Sequence, residues 1–220
     1  MHRREFSLSA AALATATWGG GMMLSSLAHA QAKNPQEGTD FLLLDKPAPT
    51  ESGAGKIEIV EFFWYGCPHC NQFEPLLDEW VKKTSKDVVL RRVPVMFRPD
   101  FEPHQRLYYV LEGMGKVPEL HKKVFQAIHV DKQTLNTAEL VAAWAQKQGL
   151  DKEKFVEAYN SFPVVTKTRK AVQLQDSYKV DGVPALGIAG RYYTSSTQAK
   201  SMERALVVTD YLIGIARKSA

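Results

Sequence analysis

Ile57-Glu58-Ile59-Val60-Glu61-Phe62-Phe63-Trp64-Tyr65-Gly66-Cys67-Pro68-His69-Cys70 is the stretch whose reading decides the fold. Its first eight residues are rich in β-branched and aromatic side chains, the composition of a central, buried strand. Beyond the second cysteine, Phe73, Leu76, Leu77, Trp80 and Val81 recur at helical spacing, which predicts a helix over 68–83. Pro68 falls at the first helical position, where its missing N–H costs nothing. Pro75 lies inside the helix and is expected to remove a hydrogen bond and bend it. Two cysteines therefore sit where a buried strand ends and a helix begins, the place where open α/β sheets commonly put their sites.

That placement carries chemistry. The first turn of a helix points unpaired N–H groups, and the positive end of its dipole, at Cys67, which favours a thiolate there. His69 is expected to help, by a hydrogen bond or, when protonated, by its charge. Cys67 is then the exposed, attacking sulfur, and Cys70, one turn inside and more shielded, the resolving one. A stabilised Cys67 thiolate favours the reduced form and makes Cys67 a good leaving group, so the bridge is readily given away. Cys67 and Cys70 are the only cysteines of the 220 residues. A bridge closing so short a loop restrains little of the unfolded chain, so its worth is chemical. A zinc site usually needs four ligands, which a lone CxxC does not supply; His104, His121 and His129 are scattered over helical segments and read as surface or core histidines. Neither a metal nor any other cofactor is expected.

Working outward, 41–44 is a short strand candidate and 88–93 the strand after the helix. From 99 to about 160 the pattern turns helical, with candidates at 102–112, 118–129, 137–148 (Asn136 as cap) and 152–159 (Asp151 as cap). A helix over 163–178 leads to Gly182-Val183-Pro184. Segments 185–189 and 191–194, separated by Gly190, read as a tight hairpin. A closing helix spans 197–217, with Met202, Leu206, Thr209, Tyr211, Leu212 and Ile215 as its buried side. Without the helical block, the order is the β-α-β-α-β-β-α arrangement of a thioredoxin-type sheet. The fold class is α/β, a thioredoxin fold with an inserted helical subdomain. The thioredoxin fold begins with 31–98, is interrupted by the insert at 99–162, and resumes over 163–220.

The first 30 residues differ from the rest. Arg3 and Arg4 precede a small and apolar stretch ending in Ala28-His29-Ala30, the pattern of a secretory signal peptide cleaved after Ala30, or after Ala32 as second choice. Arg3-Arg4-Glu5-Phe6 loosely resembles a twin-arginine signal, and the export route stays open. Cleavage at Ala30 takes Arg3 and Arg4 from the 28 basic residues and Glu5 from the 24 acidic ones, changing the net charge from +4 to +3. The charges are well mixed, with no basic stripe interleaved with aromatics, so nucleic acid is not an expected partner. A monomer is expected.

Glu61 to Cys70, with Val183-Pro184 far downstream and the helical block between, resembles the DsbA family of periplasmic dithiol oxidases. The resemblance covers essentially the whole chain after the leader. It implies that Pro184 is a cis proline facing the cysteines, with the backbone of Val183 contacting bound peptide. It also implies a task for Glu61, an acidic residue beneath the site: proton traffic to Cys70, with a satisfied buried polar residue as the other reading. Arg91 or Arg92 would be its charge partner. Trp64, Tyr65 and Val183 would form a shallow apolar surface for substrate, although strand alternation must bury some of Trp64 and Tyr65. The implied activity is donation of the Cys67–Cys70 disulfide, through a mixed disulfide, to newly exported, reduced or unfolded polypeptides in the periplasm. A DsbB-type, quinone-linked membrane oxidase would restore the bridge. An isomerase or reductase, and a thioredoxin-fold chaperone without redox turnover, are the alternatives.

Overall fold

A computed structural model describes residues 34–219; the segment read as a signal peptide lies outside them. Five strands form one sheet in the order β1-β5-β4-β2-β3. They are β1 (Leu42–Leu43), β2 (Ile57–Phe63), β3 (Val88–Pro94), β4 (Ala185–Ile188) and β5 (Tyr192–Ser195). β2 runs parallel to β3 and antiparallel to β4, and all seven of its residues are buried. That burial explains its near-continuous apolar run.

Alternation along β2 builds two cores. Ile57 and Ile59 face helices α1 (Pro68–Lys83) and α7 (Met202–Ser219), packing with Phe73, Leu77, Leu206 and Leu212. Val60 and Phe62 face the other way, into a cluster with Leu107, Leu111, Leu174 and Tyr178. That second cluster is supplied by α2 (Glu102–Gly113), α3 (Val117–His129), α4 (Ala138–Lys147), α5 (Lys152–Tyr159) and α6 (Phe162–Ser177). A 3-10 turn over Pro99–Phe101 leads into α2.

The helix over 68–83 forms as expected and continues through Pro75. Three expectations need correction. Thr137, not Asn136, caps α4, its Oγ1 accepting the Leu140 N–H at 3.3 Å. The last helix begins at Met202, because residues 196–201 turn first and Ser201 Oγ accepts the Arg204 N–H. Tyr211 is 37% exposed rather than buried; its ring leans on Phe41 from outside. The hairpin turn has positive φ at both Ala189 (53°) and Gly190 (67°), the pairing that matches strand twist. A Cβ on Gly190 would also meet the Ala48 carbonyl at 2.5 Å. Among the described residues, no helix is long and apolar enough to cross a membrane.

Candidate active site

The end of β2 delivers Cys67 to the N-cap of α1, with extended backbone (φ −84°, ψ 117°) and no side-chain cap. The two cysteines are unbridged. Cys70 is wholly buried and Cys67 is 8% exposed, so the attacking sulfur is less open than expected and only its edge meets solvent. Pro68 and His69 are exposed beside it. Across from it the Val183–Pro184 bond is cis, as expected, and the Cys67 Sγ–H donates to the Val183 carbonyl at 3.5 Å. Pro184 is buried and Val183 half-buried.

The two thiols differ sharply in acidity. Cys67 is brought down to about 6, first by a hydrogen bond from the Cys70 thiol, then by the backbone N–H groups of Cys70 and His69, against the opposing effect of burial. The charge of His69 contributes least among these, which corrects the weight placed on it from sequence. Burial pushes Cys70 well above the ordinary thiol range, with its hydrogen bond to Cys67 adding to the effect. The helix start therefore works through short-range donors more than through the neighbouring imidazole. Replacing Cys70 with Ala should raise the Cys67 pKa, read from thiolate absorbance, and replacing His69 with Ala should move it less.

Beneath the cysteines lies a buried charged cluster. β2 and β3 pair Glu61 with Arg92 and Val60 with Arg91, so Arg92 shares the face of Glu61 while Arg91 points to the other side, where it meets Glu58 and Glu51. Arg92 Nε is 3.0 Å from Glu61 Oε2, which settles the choice between the two arginines. That contact is charge without a hydrogen bond. The Arg92 Nε–H is directed at Glu74 Oε1 (3.3 Å) and an Nη2–H at Glu74 Oε2 (2.8 Å), leaving both Glu61 oxygens without a donor. Burial first, and then the neighbouring Glu74 charge, raise Glu61 well above the usual carboxylate range. Asp78 accepts from Arg92 at 3.0 Å and meets Lys122 at 2.5 Å.

Tyr65 is not at the surface. Its side chain is fully buried and its hydroxyl lies 2.8 Å from His121 Nδ1, so it has no face to offer a docked peptide. Trp64 is half-buried and lies flat on Phe101, with centroids 3.8 Å apart and planes at 5°. Trp64 also covers Gly66: a Cβ there would meet its ring at 2.4 Å. Gly66→Ala should therefore displace Trp64 from Phe101 and cost about 1–3 kcal/mol, the usual range for overpacking. Urea unfolding and the Trp fluorescence of the native state would show both effects.

Sequence reasoning missed Glu74 and Asp78, and it read the histidines as surface or core residues, which holds for the buried His104 and His121 but gave no hint of their place at the site. Glu74 had a signal: it lies one turn after Cys70, among Phe73 and Leu77, in the inward stripe of α1. The site role of the three histidines had none, as they lie far apart in sequence, yet all three meet Tyr65. His104 packs on both rings, His121 meets the Tyr65 hydroxyl, and His129 Nε2–H donates to the Tyr65 carbonyl at 2.8 Å.

Comparison with known proteins agrees with this geometry. A family profile described as the DSBA-like thioredoxin domain matches residues 87–207. The thiol:disulfide interchange protein DsbA of Burkholderia cepacia is 40% identical over 191 residues, 87% of this chain and 90% of that protein. The DsbA of Pseudomonas aeruginosa PAO1 is also 40% identical over 191 residues, with the same coverage. A crystal structure of Pseudomonas aeruginosa DsbA superposes with a TM-score of 0.80 at 39% identity, covering 84% of this chain and 96% of that one. The structure of DsbA from Xylella fastidiosa gives 0.78 at 29% identity, over 84% and 98%. With its strand-end cysteines, its cis proline and these relatives, the chain belongs to the DsbA family.

Proposed function

We propose that the chain is a thiol:disulfide oxidoreductase acting as a dithiol oxidase, and the observation that carries this is the unequal acidity of its two thiols. With Cys67 at about 6, most of it is thiolate at neutral pH. Relative to an ordinary thiol this favours the reduced, folded protein at pH 7 by about tenfold, or roughly 30 mV for a two-electron couple. The sign follows from linkage. A thiol whose folded pKa is depressed stabilises the reduced protein fully above its unfolded value, and that stabilisation is lost as pH falls through the folded value. Measured against a couple of ordinary thiols such as glutathione, the reduced form is therefore expected to gain on the oxidised form as pH rises from 6 to 9.

In the forward reaction a substrate thiolate attacks Cys67 Sγ. The Cys67–Cys70 bond breaks, Cys70 leaves with the electron pair, and it takes up a proton because its pKa is high. A second substrate thiolate attacks the substrate sulfur of the mixed disulfide, and Cys67 leaves as the stable thiolate. Two electrons pass from substrate to protein. Glu61, buried under the same helix with a raised pKa and no donor to either oxygen, is the proton donor for Cys70. The Val183 carbonyl beside Cys67 and the half-buried faces of Trp64 and Val183 receive the substrate backbone and side chains.

The substrates are reduced polypeptides newly exported to the periplasm, reached after removal of the leader at 1–30. Reoxidation falls to a DsbB-type quinone-linked membrane oxidase, and the protein works as a monomer with the insert bounded at 99–162. The measurement that tests the reading is the equilibrium of the Cys67–Cys70 bridge with glutathione. A couple more oxidising than thioredoxin's roughly −270 mV is expected. A bridge as hard to reduce as thioredoxin's would overturn it.

A further inference from the structure

His121 belongs to the inserted helices, yet both of its ring nitrogens are used beneath the cysteines. Nδ1 lies 2.8 Å from the Tyr65 hydroxyl and Nε2 lies 2.8 Å from Glu74 Oε1, and all three side chains are buried. If Nε2–H donates to the carboxylate and the Tyr65 hydroxyl donates to Nδ1, every polar atom is satisfied by a neutral imidazole. Burial also disfavours the imidazolium, with Glu74 opposing. Glu74 is then an anion with three donated hydrogen bonds, one from His121 and two from Arg92. Glu61 touches the same guanidinium and receives none. Two carboxyls on one cation in a dry site cannot both ionise cheaply, and the donors decide which one keeps the charge.

We infer that His121, oriented by the Tyr65 hydroxyl, is a positioning residue for the dithiol reaction: it holds Glu74 as the ionised carboxylate and so leaves the single proton of the pair on Glu61. The inference rests on the reading of Glu61 as the proton donor to Cys70. Groups facing the pair come from every packed element. They are Arg92 from β3, Asp78 from α1, Lys122 beside Asp78 from α3, and Tyr108 from α2, its ring 5.9 Å from that of His121. Arg92 and Asp78 keep 17% and 25% of their side chains exposed, so solvent reaches that end of the cluster and can reload the pair.

The test uses the full chain and two readouts. Reduced-minus-oxidised infrared spectra report the C=O stretch of a protonated, buried carboxyl. The pH dependence of the reaction between the oxidised chain and reduced glutathione reports the departure of Cys70. Glu61→Gln should abolish the carboxyl band and slow the reaction. His121→Phe should shift or split the band, as Glu74 begins to share the proton, and should slow the reaction about tenfold at neutral pH. The Cys67 absorbance titration should stay at about 6 in that variant. Tyr65→Phe, which removes only the hydroxyl, should act in the same direction and more weakly. His121→Gln, which keeps an N–H for Glu74 and an acceptor for Tyr65, should restore most of the rate. If Glu61→Gln leaves band and rate alone, the reading of Glu61 fails. If Glu61→Gln acts but His121→Phe changes only the melting temperature, the inference fails by itself.

Discussion

Cys67→Ser should lose oxidation of a reduced peptide by more than about a thousandfold, the scale on which removing a nucleophile acts. A serine hydroxyl forms no sulfur–sulfur bond, so neither the protein disulfide nor the mixed disulfide can exist. The partner variant sharpens the claim. Cys70→Ser keeps the reactive sulfur but lacks the resolving thiol, so with oxidised glutathione it should accumulate a stable Cys67–glutathione disulfide. The two variants separate oxidase from docking module, because both keep the Val183–Pro184 backbone and the Trp64–Phe101 platform. The measurement is single-turnover oxidation of a two-cysteine peptide, with binding of its alkylated form followed separately. Binding should survive in Cys67→Ser. Peptide oxidation by that variant above the uncatalysed rate would sink the assignment of Cys67.

The strand, the helix start and the order of elements were legible because each rests on a local rule: a β-branched run, apolar spacing, a proline at the first helical position. The cis Val183–Pro184 bond was legible only through family resemblance, since no local feature of an X-Pro pair announces its isomer. The rest of the site depends on register and on long-range packing. Arg91 and Arg92 are adjacent and chemically alike, and only the pairing of Glu61 with Arg92 puts one of them on the right face, since a one-residue slip exchanges them. Tyr65 reads equally as a surface aromatic or a core one, and the turn of the chain after β2 decides it by sending the ring into the insert, against Phe63 and Phe125. His121 follows Cys70 by some fifty residues, and nothing in the local pattern of α3 distinguishes a histidine that reaches Glu74 from one filling a core.

Arg92→Met should cost about 3–5 kcal/mol at pH 7, because it removes the cation that Glu61, Glu74 and Asp78 share and leaves the Glu74 charge buried without it. Arg92 lies 3.0 Å from Glu61, 2.8 Å from Glu74 and 3.0 Å from Asp78, with 17% of its side chain exposed. Methionine fills a similar volume, so the loss reports electrostatics more than a cavity. Its pH dependence gives the sign. In the native protein burial raises Glu74, but His121 and Arg92 outweigh that and hold it to about 2, so Glu74 contributes stability above its unfolded value of about 4.5 that is lost as pH falls through 2. Without Arg92 the balance reverses: burial pushes Glu74 upward, and the variant recovers stability as pH falls from 7 toward 4.5. The deficit should therefore shrink in acid. Arg92→Lys should fall between, since an ammonium carries the charge but lacks the planar fork that spans Glu61, Glu74 and Asp78 together. Urea midpoints at the two pH values, with unchanged slope, provide the measurement. A loss below about 1 kcal/mol at pH 7, the range of exposed pairs, or an equal loss at both pH values, would show that the guanidinium does not hold these carboxylates together.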